Sequence, residues 1–236
     1  MSATKRLPPG QRAVDGFPRF GTHLHRPPPP VPADPTIQIA GAVTEAFHVP
    51  VADLAHLPRI ELVSDFHCVS GWSATDLQWE GVAFAAFYSG LIEPRLKRGG
   101  SITHLVFEGL DRYRSIVELG DALGEQVVIA DRLNGSPLAP DHGAPVRLVS
   151  PLQYGFVSTK HLCRVDVRSG DPADNYHPSP IIQLGLRGLL TPHPRARVWE
   201  EERHRYLPAW MVRPIYRAII APMTKLCARG SRAQEP

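Results

Sequence analysis

The stretch DFHCVSGWS, residues 65–73, is the most informative part of this sequence, because it places a lone cysteine after a strand and before a glycine. Residues Arg59–Val63 have the composition of a strand, and we expect Ser64-Asp65 to form the polar turn that ends it. Free cysteine is among the most buried residue types. Cys68 is therefore either a small core residue at a strand end or a reactive thiolate.

The other cysteines and the neighbouring histidine narrow the chemistry open to such a thiolate. In a strand, His67 would point to the opposite face from Cys68, which argues against a Cys–His catalytic pair. A structural zinc site needs several Cys or His at close spacing, whereas Cys163 and Cys227 are distant and solitary. The remaining functional interpretation is a single thiolate bound to a metal whose other ligands arrive on a cofactor.

A second stretch, NGSPLAPDHGAPVRLV at residues 134–149, offers groups that could hold the polar parts of a cofactor. Its Asn134-Gly135 pair indicates a hairpin turn, and the guanidinium of Arg147 suits a phosphate. The following segment, Tyr154–Lys160, adds backbone amides, two hydroxyls and a positive charge, which together could cradle an anion. Alternatively, Arg147 and Lys160 are solvated charges at strand edges.

Short strands outnumber helices along the chain. No strict alternation of strand and helix occurs, so the pattern predicts an α+β fold with mixed sheets. We predict strands over residues 36–41, 59–63, 103–108, 126–131, 146–150 and 161–167. We predict helices over residues 51–57, from about Ala83 to a terminator at Gly90, and over residues 115–123.

Taken in order, the motifs resemble those of the sulfite-oxidase-type molybdopterin-binding oxidoreductases, in particular the short bacterial stand-alone members. The matching segments are IQIAGAV at 37–43, DFHCVSGWS at 65–73, WEGV at 79–82 and the run from Asn134 to Lys160. The resemblance covers roughly Pro8 to Val167. It implies an α+β molybdopterin-binding domain that holds one molybdenum on a pterin dithiolene.

The resemblance also implies roles for individual residues. Cys68 matches the cysteine that ligates molybdenum, and it is the expected catalytic and metal-binding residue. Trp72 and Trp79 either fill the core or shape the mouth of the cofactor site. Further cofactor contacts are implied at positions matching the family's pterin-binding and phosphate-binding segments, namely His142, Arg147, Ser158, Thr159, Lys160, His23 and His25.

The implied activity is a two-electron oxygen-atom transfer on a small substrate, sulfite or a sulfoxide-like compound. The sequence has no haem-attachment motif, so we expect electrons to pass through a separate partner or a small molecule. A non-catalytic molybdopterin-binding or carrier module is an alternative that would keep the same cofactor contacts. Redox cycling of the bound metal distinguishes the two.

The two ends of the chain differ from its middle. We divide the sequence into a Pro-rich N-terminal arm at 1–35, a molybdopterin-binding domain at 36–170, and a connection with a basic C-terminal tail at 171–236. An alternative function is an interaction protein acting through this tail, whose stretch 211–220 is amphipathic. We expect Pro214 and Pro222 to limit that helix to two or three turns, and the face with Val212, Ile215, Tyr216 and Ile219 to pack against the domain.

Composition sets the broad class. The 236 residues carry a net charge of +3 and are 43% hydrophobic, which is ordinary for a globular protein and makes nucleic acid a poor candidate partner. Three cysteines do not suit a disulfide framework and favour a reducing compartment. No apolar leader or apolar run of membrane-spanning length is evident, so we expect a cytoplasmic protein without a transmembrane segment.

Overall fold

The strands form two mixed sheets in the computed structural model, which describes residues 6–19, 27–172 and 191–232. The first sheet contains Arg12–Ala13 (β1), Arg59–His67 (β4), Trp72–Ala83 (β5), Val128–Leu133 (β8), Ser136–Pro137 (β9) and Arg147–Val149 (β10). The second contains Thr36–Gly41 (β2), Phe47–Pro50 (β3), His104–Gly109 (β6), Arg114–Glu118 (β7) and Leu162–Arg168 (β11). The α-helices are Phe84–Phe87 (α1), Leu119–Ala122 (α2) and Ala209–Arg232 (α3).

Strand β5 organises the first sheet. It pairs antiparallel with β4 and β8 and parallel with β1, and β10 lies beyond β8. The second sheet runs β3-β2-β11-β6-β7, with β2 and β11 parallel and the other neighbours antiparallel. Each sheet thus contains both parallel and antiparallel pairs, which confirms the predicted α+β class with mixed sheets.

Both faces of the first sheet are buried. Successive residues of a strand point to opposite sides, and here they enter two different hydrophobic clusters. In β8, Ile129 joins the larger hydrophobic cluster, which includes side chains from the second sheet, whereas Val128 and Ala130 join a smaller cluster. In β10, Leu148 and Val149 divide in the same way. The smaller cluster contains Cys68, so the cysteine lies on the face of the first sheet that is turned away from the main core.

The six predicted strands are confirmed, with ends shifted by at most a few residues, except that the second is longer than predicted. The turn expected at Ser64-Asp65 is wrong, because β4 continues to His67. A register shift between Ser64 and Phe66 accommodates these polar residues, and the Asp65 carboxylate accepts a hydrogen bond from the Asp76 amide at 3.0 Å. The chain therefore turns immediately after the strand, at Cys68 itself.

The helix predictions are partly wrong. Residues 51–56 form a short 3-10 helix, close to the prediction, and α1 begins at Phe84 as expected. Gly90 does not end that helix, since its backbone is not left-handed and the helical path continues through Ile92. Residues 114–118 form a strand because they pair with β6 and alternate in burial, which leaves only the short α2 from the helix predicted at 115–123.

The C-terminal helix is longer than predicted, since α3 passes through both Pro214 and Pro222. Within the described residues, no helix is both long enough and apolar enough to cross a membrane. The chain just before α3 packs against the loop that follows β10: the Tyr154 amide donates to the Ala196 carbonyl at 2.8 Å, and Val198 is fully buried.

Candidate functional site

Cys68 lies in a tight turn that joins β4 to β5. Its amide donates to the Trp72 carbonyl at 2.9 Å, and its carbonyl accepts from the Gly71 amide at 2.9 Å. Gly71 has a φ of 100°, a left-handed conformation that glycine adopts without strain. The Gln11 side chain also donates to the Cys68 carbonyl at 3.2 Å, which ties the N-terminal segment to the turn.

The thiol of Cys68 is buried, with 6% of the residue exposed. Burial raises the pKa of this thiol, while the Ser70 hydroxyl, 3.1 Å from Sγ, and the positive charge of Arg203 act in the opposite direction. Because desolvation dominates, the group is a neutral thiol when no cation is bound. A metal ion would reverse this balance, since metals bind cysteine as the thiolate.

The C-terminal segment contributes a cation, Arg203, next to Cys68. Arg203 is 2% exposed, and it donates a hydrogen bond to the Val69 carbonyl, one residue beyond the cysteine. Its guanidinium carbon lies 4.7 Å from the ring centres of both Tyr154 and Tyr216. Arg203 was not predicted from the sequence, because there it is only one of several charges in a basic tail.

Arg147 is the most deeply buried cation of the segment 134–149. It is 2% exposed and donates to the carbonyls of His142 and Ser158, each at 3.0 Å. Burial lowers the pKa of its guanidinium to about 9. Among the described residues it forms no ion pair with a carboxylate, so the alternative of a solvated strand-edge charge is wrong.

Lys160 and His142 lie beside Arg147. A Cβ added to Gly143 would come 3.1 Å from the Cβ atoms of both Arg147 and Lys160, so this glycine allows the two side chains to approach. Burial, and then the charges of Arg147 and Arg19, lower the Lys160 pKa to about 8. Burial, and then the charges of Arg147 and Lys160, lower the His142 pKa to about 4.

The N-terminal segment adds Arg19, which forms an ion pair with Asp141 at 3.0 Å. We call Arg19, His142, Arg147 and Lys160 the basic cluster. Asp141 is the one described carboxylate that makes an ion pair within it. Sequence reasoning missed both Arg19 and Asp141, although the position of Asp141 directly before His142 was an available signal.

The two hydroxyl residues of the predicted phosphate cradle take part in the hydrogen bonding of the fold. Ser158 Oγ accepts from the Ser150 amide at 3.1 Å, and its carbonyl holds Arg147. Thr159 Oγ1 lies 2.7 Å from the Ser115 hydroxyl of β7. The backbone of Ser158 and Thr159 lies beside Arg147 and Leu148, through hydrogen bonds to their carbonyls. Contact of the two side chains with a cofactor stays a prediction. His23 and His25 lie outside the described residues.

Four aromatic rings connect Cys68 with the basic cluster. This aromatic cluster contains Phe17, Phe66, Trp72 and Trp79, with ring centres 4.9 to 6.5 Å apart in the contacting pairs. The Arg147 guanidinium carbon lies 5.2 Å from the Trp79 ring and 5.4 Å from Phe66. His142 stacks on Phe17 at 4.7 Å with an interplanar angle of 6°.

Both tryptophans are fully buried, which confirms their packing in the core. However, neither indole N–H has a hydrogen-bond partner among the described residues. A buried donor without a partner is uncommon and costly. Within the same described ranges, no three His, Cys, Asp or Glu side chains are placed to hold a metal together.

The arrangement can therefore bind an anionic molecule that carries hydrogen-bond acceptors. The basic cluster provides the charge, the aromatic cluster provides flat apolar surfaces and two indole donors without a described partner, and Cys68 provides one soft ligand in the same hydrophobic cluster as the aromatic rings. Such a combination suits a cofactor that has a phosphate end, a ring system and a metal.

Comparison with known proteins places this arrangement among relatives. The family model described as oxidoreductase molybdopterin binding domain matches residues 25–176. The uncharacterized oxidoreductase YuiH of Bacillus subtilis is 32% identical over 162 residues, which are 66% of this chain and 76% of that protein.

Two further matches are partial. A nitrate reductase [NADPH] of Neurospora crassa is 35% identical over 116 residues, which cover 45% of this chain but only 12% of that protein. Among solved structures, the sulfane dehydrogenase SoxCD of Paracoccus pantotrophus matches with a TM-score of 0.49 and 21% identity, over 58% of this chain and 38% of that one.

Proposed function

Because the chain belongs to the family of oxidoreductases with a molybdopterin-binding domain, we propose that it transfers an oxygen atom, with two electrons, to or from a small substrate such as sulfite or a sulfoxide. The predicted membership of a molybdopterin-binding oxidoreductase family is confirmed, and molybdopterin is the cofactor of this family. The substrate class and the direction of transfer are part of the proposal.

One observation supports the proposal above the others: Arg147 is a buried guanidinium whose hydrogen bonds, among the described residues, go only to backbone carbonyls. Burying a charge without an opposite charge is costly, and the cost falls when an anion binds there. Lys160 and His142, next to Arg147, have pKa values lowered in the same way. These residues fit the anionic end of a molybdopterin.

The chemistry of each residue follows from its position. When bound, the cofactor supplies a molybdenum centre that exchanges an oxygen atom and two electrons with the substrate. Cys68 Sγ would provide a thiolate ligand to the metal, after loss of the proton that burial favours in the free protein. The charge of Arg203 favours that loss.

Arg147, Lys160 and Arg19 would hold the phosphate end, and the unpaired indole N–H groups of Trp72 and Trp79 would donate to polar atoms of the cofactor. The aromatic cluster would keep water away from the metal, since its rings lie in the hydrophobic core that contains Cys68. Arg203 would present positive charge near the cysteine ligand.

The proposal also includes a separate electron carrier and a cytoplasmic location. The described cysteines, Cys68 and Cys163, are both free thiols, as expected in a reducing compartment. A redox partner protein or a small electron carrier would complete the reaction, because the substrate step changes the metal by two electrons.

Metal and pterin analysis tests the proposal. The full chain, expressed in a host that makes the cofactor, should contain stoichiometric molybdenum and release a pterin detectable by mass spectrometry. Cys68→Ser should lose the visible absorption that arises from thiolate-to-metal charge transfer, together with oxygen-atom transfer. Cys163→Ser is the matched control, because Cys163 lies in the second sheet, away from Cys68, as a half-buried thiol that donates a hydrogen bond to the Glu108 carbonyl.

Two results would overturn parts of the proposal. A Cys68→Ser protein with the parent spectrum and activity would remove Cys68 from the metal. A chain that binds the cofactor but shows no change in metal oxidation state under reductants, measured by electron paramagnetic resonance, would instead be a non-catalytic carrier module.

A further inference from the structure

One face of helix α3 is anchored to the rest of the protein. Val212 is 5% exposed, and the Tyr216 hydroxyl lies 2.7 Å from His204 Nε2. Arg213 forms an ion pair with the buried carboxylate of Glu201. These contacts fix the rotation of the helix about its own axis, so the side that points outward is determined by packing.

The opposite side of α3 is apolar and exposed. Trp210 is 69% exposed, Met211 47% and Ile215 62%. At 100° per residue, these side chains lie in one stripe that also includes the exposed residues Pro214, Ala218 and Pro222. The expectation that Ile215 would pack against the domain with Val212 is wrong, because Ile215 lies about 60° around the helix from the buried Val212, at the edge of the packed face, and is exposed.

The charge of the helix is one-sided. Over Ala209–Arg232 the sequence has five Lys or Arg residues and no Asp or Glu. Arg213 is already paired with Glu201, whereas Arg217 is exposed next to the apolar stripe. An exposed apolar stripe with tryptophan, on a helix that carries only positive charge, is the pattern of helices that lie in a membrane interface.

We propose that the exposed stripe of α3, centred on Trp210, Met211 and Ile215, docks the protein onto an anionic lipid surface. The apolar side chains would insert among the lipid headgroups, and the basic residues would face the lipid phosphates. An anionic lipid surface supplies both an apolar layer and a high density of negative charge. The first matches the exposed apolar stripe of α3, and the second matches its positive charge; the contacts of α3 with the domain leave both unused.

Vesicle sedimentation with the full, cofactor-loaded chain tests the proposal. The protein should sediment with vesicles of phosphatidylcholine and phosphatidylserine, and much less with phosphatidylcholine alone. Replacing two exposed apolar residues, as Trp210→Gln with Ile215→Gln, should weaken vesicle binding at least about tenfold. The matched control is Val63→Gln with Leu152→Gln, since these residues are 62% and 57% exposed elsewhere on the surface.

The charge contribution has its own pair of variants. Arg217→Gln should weaken binding and reduce its dependence on salt, whereas Arg98→Gln, at an exposed position outside α3, should change neither. The readout is binding rather than catalysis, so it is independent of the reaction proposed above.

Three results would overturn the proposal. These are no binding to anionic vesicles at low salt, equal binding by the Trp210 and Ile215 double variant, or equal binding to neutral and anionic vesicles at all salt concentrations. Light scattering of the same protein without vesicles provides a separate test. A dimer that the double variant dissociates would identify a second copy of this chain as the occupant of the stripe.

Discussion

The buried ammonium of Lys160 affects the free energy of unfolding, so the charge of the basic cluster can be tested at one residue. Its folded pKa of about 8 is below the ordinary value of 10.5, so the folded state disfavours its charge. At neutral pH the unfolded chain holds this proton more tightly, and the charge therefore reduces stability. This penalty is complete below about pH 8 and disappears as the pH rises above 10.5.

Lys160→Met should therefore stabilise the cofactor-free protein near pH 7, by about 2 kcal/mol in the free energy of unfolding. The gain should shrink above pH 8 and vanish above 10.5. Urea unfolding at several pH values measures it, with Lys97→Met, an exposed lysine, as the control. The same variant should lose stabilisation by added phosphate. A loss of stability at neutral pH would contradict the assignment of Lys160 to an anion site.

His142 titrates in a different window. Its folded pKa of about 4 is below the ordinary 6.5, so the folded state excludes a proton that the unfolded state accepts. Its contribution to stability is complete above pH 6.5 and is lost as the pH falls toward 4. Below pH 4 the group adds no further change.

In the cofactor-free protein, the free energy of unfolding should fall by about 2 kcal/mol more in the parent than in His142→Asn over this window. Urea unfolding at about pH 7 and about pH 4.5 measures the difference. His56→Asn, at an exposed position, should show the same change in unfolding free energy between these pH values as the parent. An equal change in unfolding free energy with pH in the parent and in His142→Asn would show that His142 is solvated rather than enclosed by Phe17 and Arg147.

At the residue scale, sequence reasoning found the groups that carry their own chemical signal. Cys68 and Arg147 were predicted because a lone cysteine and a guanidinium beside a phosphate-binding pattern are informative without any structure. Arg19 and Arg203 were missed because their importance comes from burial beside those residues, and burial of a charged side chain is decided by tertiary packing.

At the scale of elements, Gly155 determines how the loop after β10 approaches the end of β4. Its amide donates to the His67 carbonyl at 2.7 Å, and an added Cβ would lie 2.1 Å from the Phe66 ring. Phe66 packs on Phe17 and Trp72 and faces Arg147. Any side chain at residue 155 must therefore displace the aromatic cluster.

Gly155→Ala should lower the free energy of unfolding by about 1 to 3 kcal/mol, because the packed ring has little room to move. It should also reduce the molybdenum content of protein made in a cofactor-competent host. Gly90→Ala is the control: its Cβ meets no atom within 4 Å in an exposed helical segment, so stability should be unchanged or higher. If the two variants behave alike, Phe66 does not pack against residue 155 as described.

The elements themselves were predictable where local pattern and pairing agree. The strand at 36–41 alternates apolar and polar residues, and the Asn134-Gly135 turn has the left-handed backbone that this pair favours, with φ of 49° and 75°. Residues 115–118 were predicted to be helical as part of the segment 115–123, because their spacing fits either structure and only pairing with β6 decides. Likewise, β4 overrides the turn propensity of Ser64-Asp65 through pairing with β5.

At the scale of the whole molecule, the open question is where the folding unit ends. The division into a domain at 36–170 and a tail from 171 was made on composition, and it stays a prediction. The residues after 190 nevertheless pack on the domain: Ala196 and Val198 are fully buried, and Arg197 pairs with Asp121 at 2.7 Å. Arg203 donates to the Val69 carbonyl in the cysteine turn, and the Tyr216 ring lies against the Arg203 guanidinium.

Truncation decides the question. A chain ending at residue 190 should lose about 3 kcal/mol or more of unfolding free energy, since it exposes the surfaces that bury Ala196, Val198 and Val212. A chain ending at Pro222 keeps the contacts of Val212, Arg213 and Tyr216, and should melt at the temperature of the full chain.

The same two truncations report on the cysteine. Both lack Cys227, so in a Cys163→Ser background Cys68 is the only thiol. In cofactor-free protein, Cys68 should react with a thiol reagent much faster in the shorter chain, because Arg203 and Tyr216 no longer cover it. If the shorter chain melts and reacts like the longer one, residues after 190 are an appendage and the composition-based boundary is right. The expected result would instead make the C-terminal segment part of the cofactor site, with Arg203 at the cysteine turn and Tyr216, whose ring lies against Arg203, connecting that turn to α3.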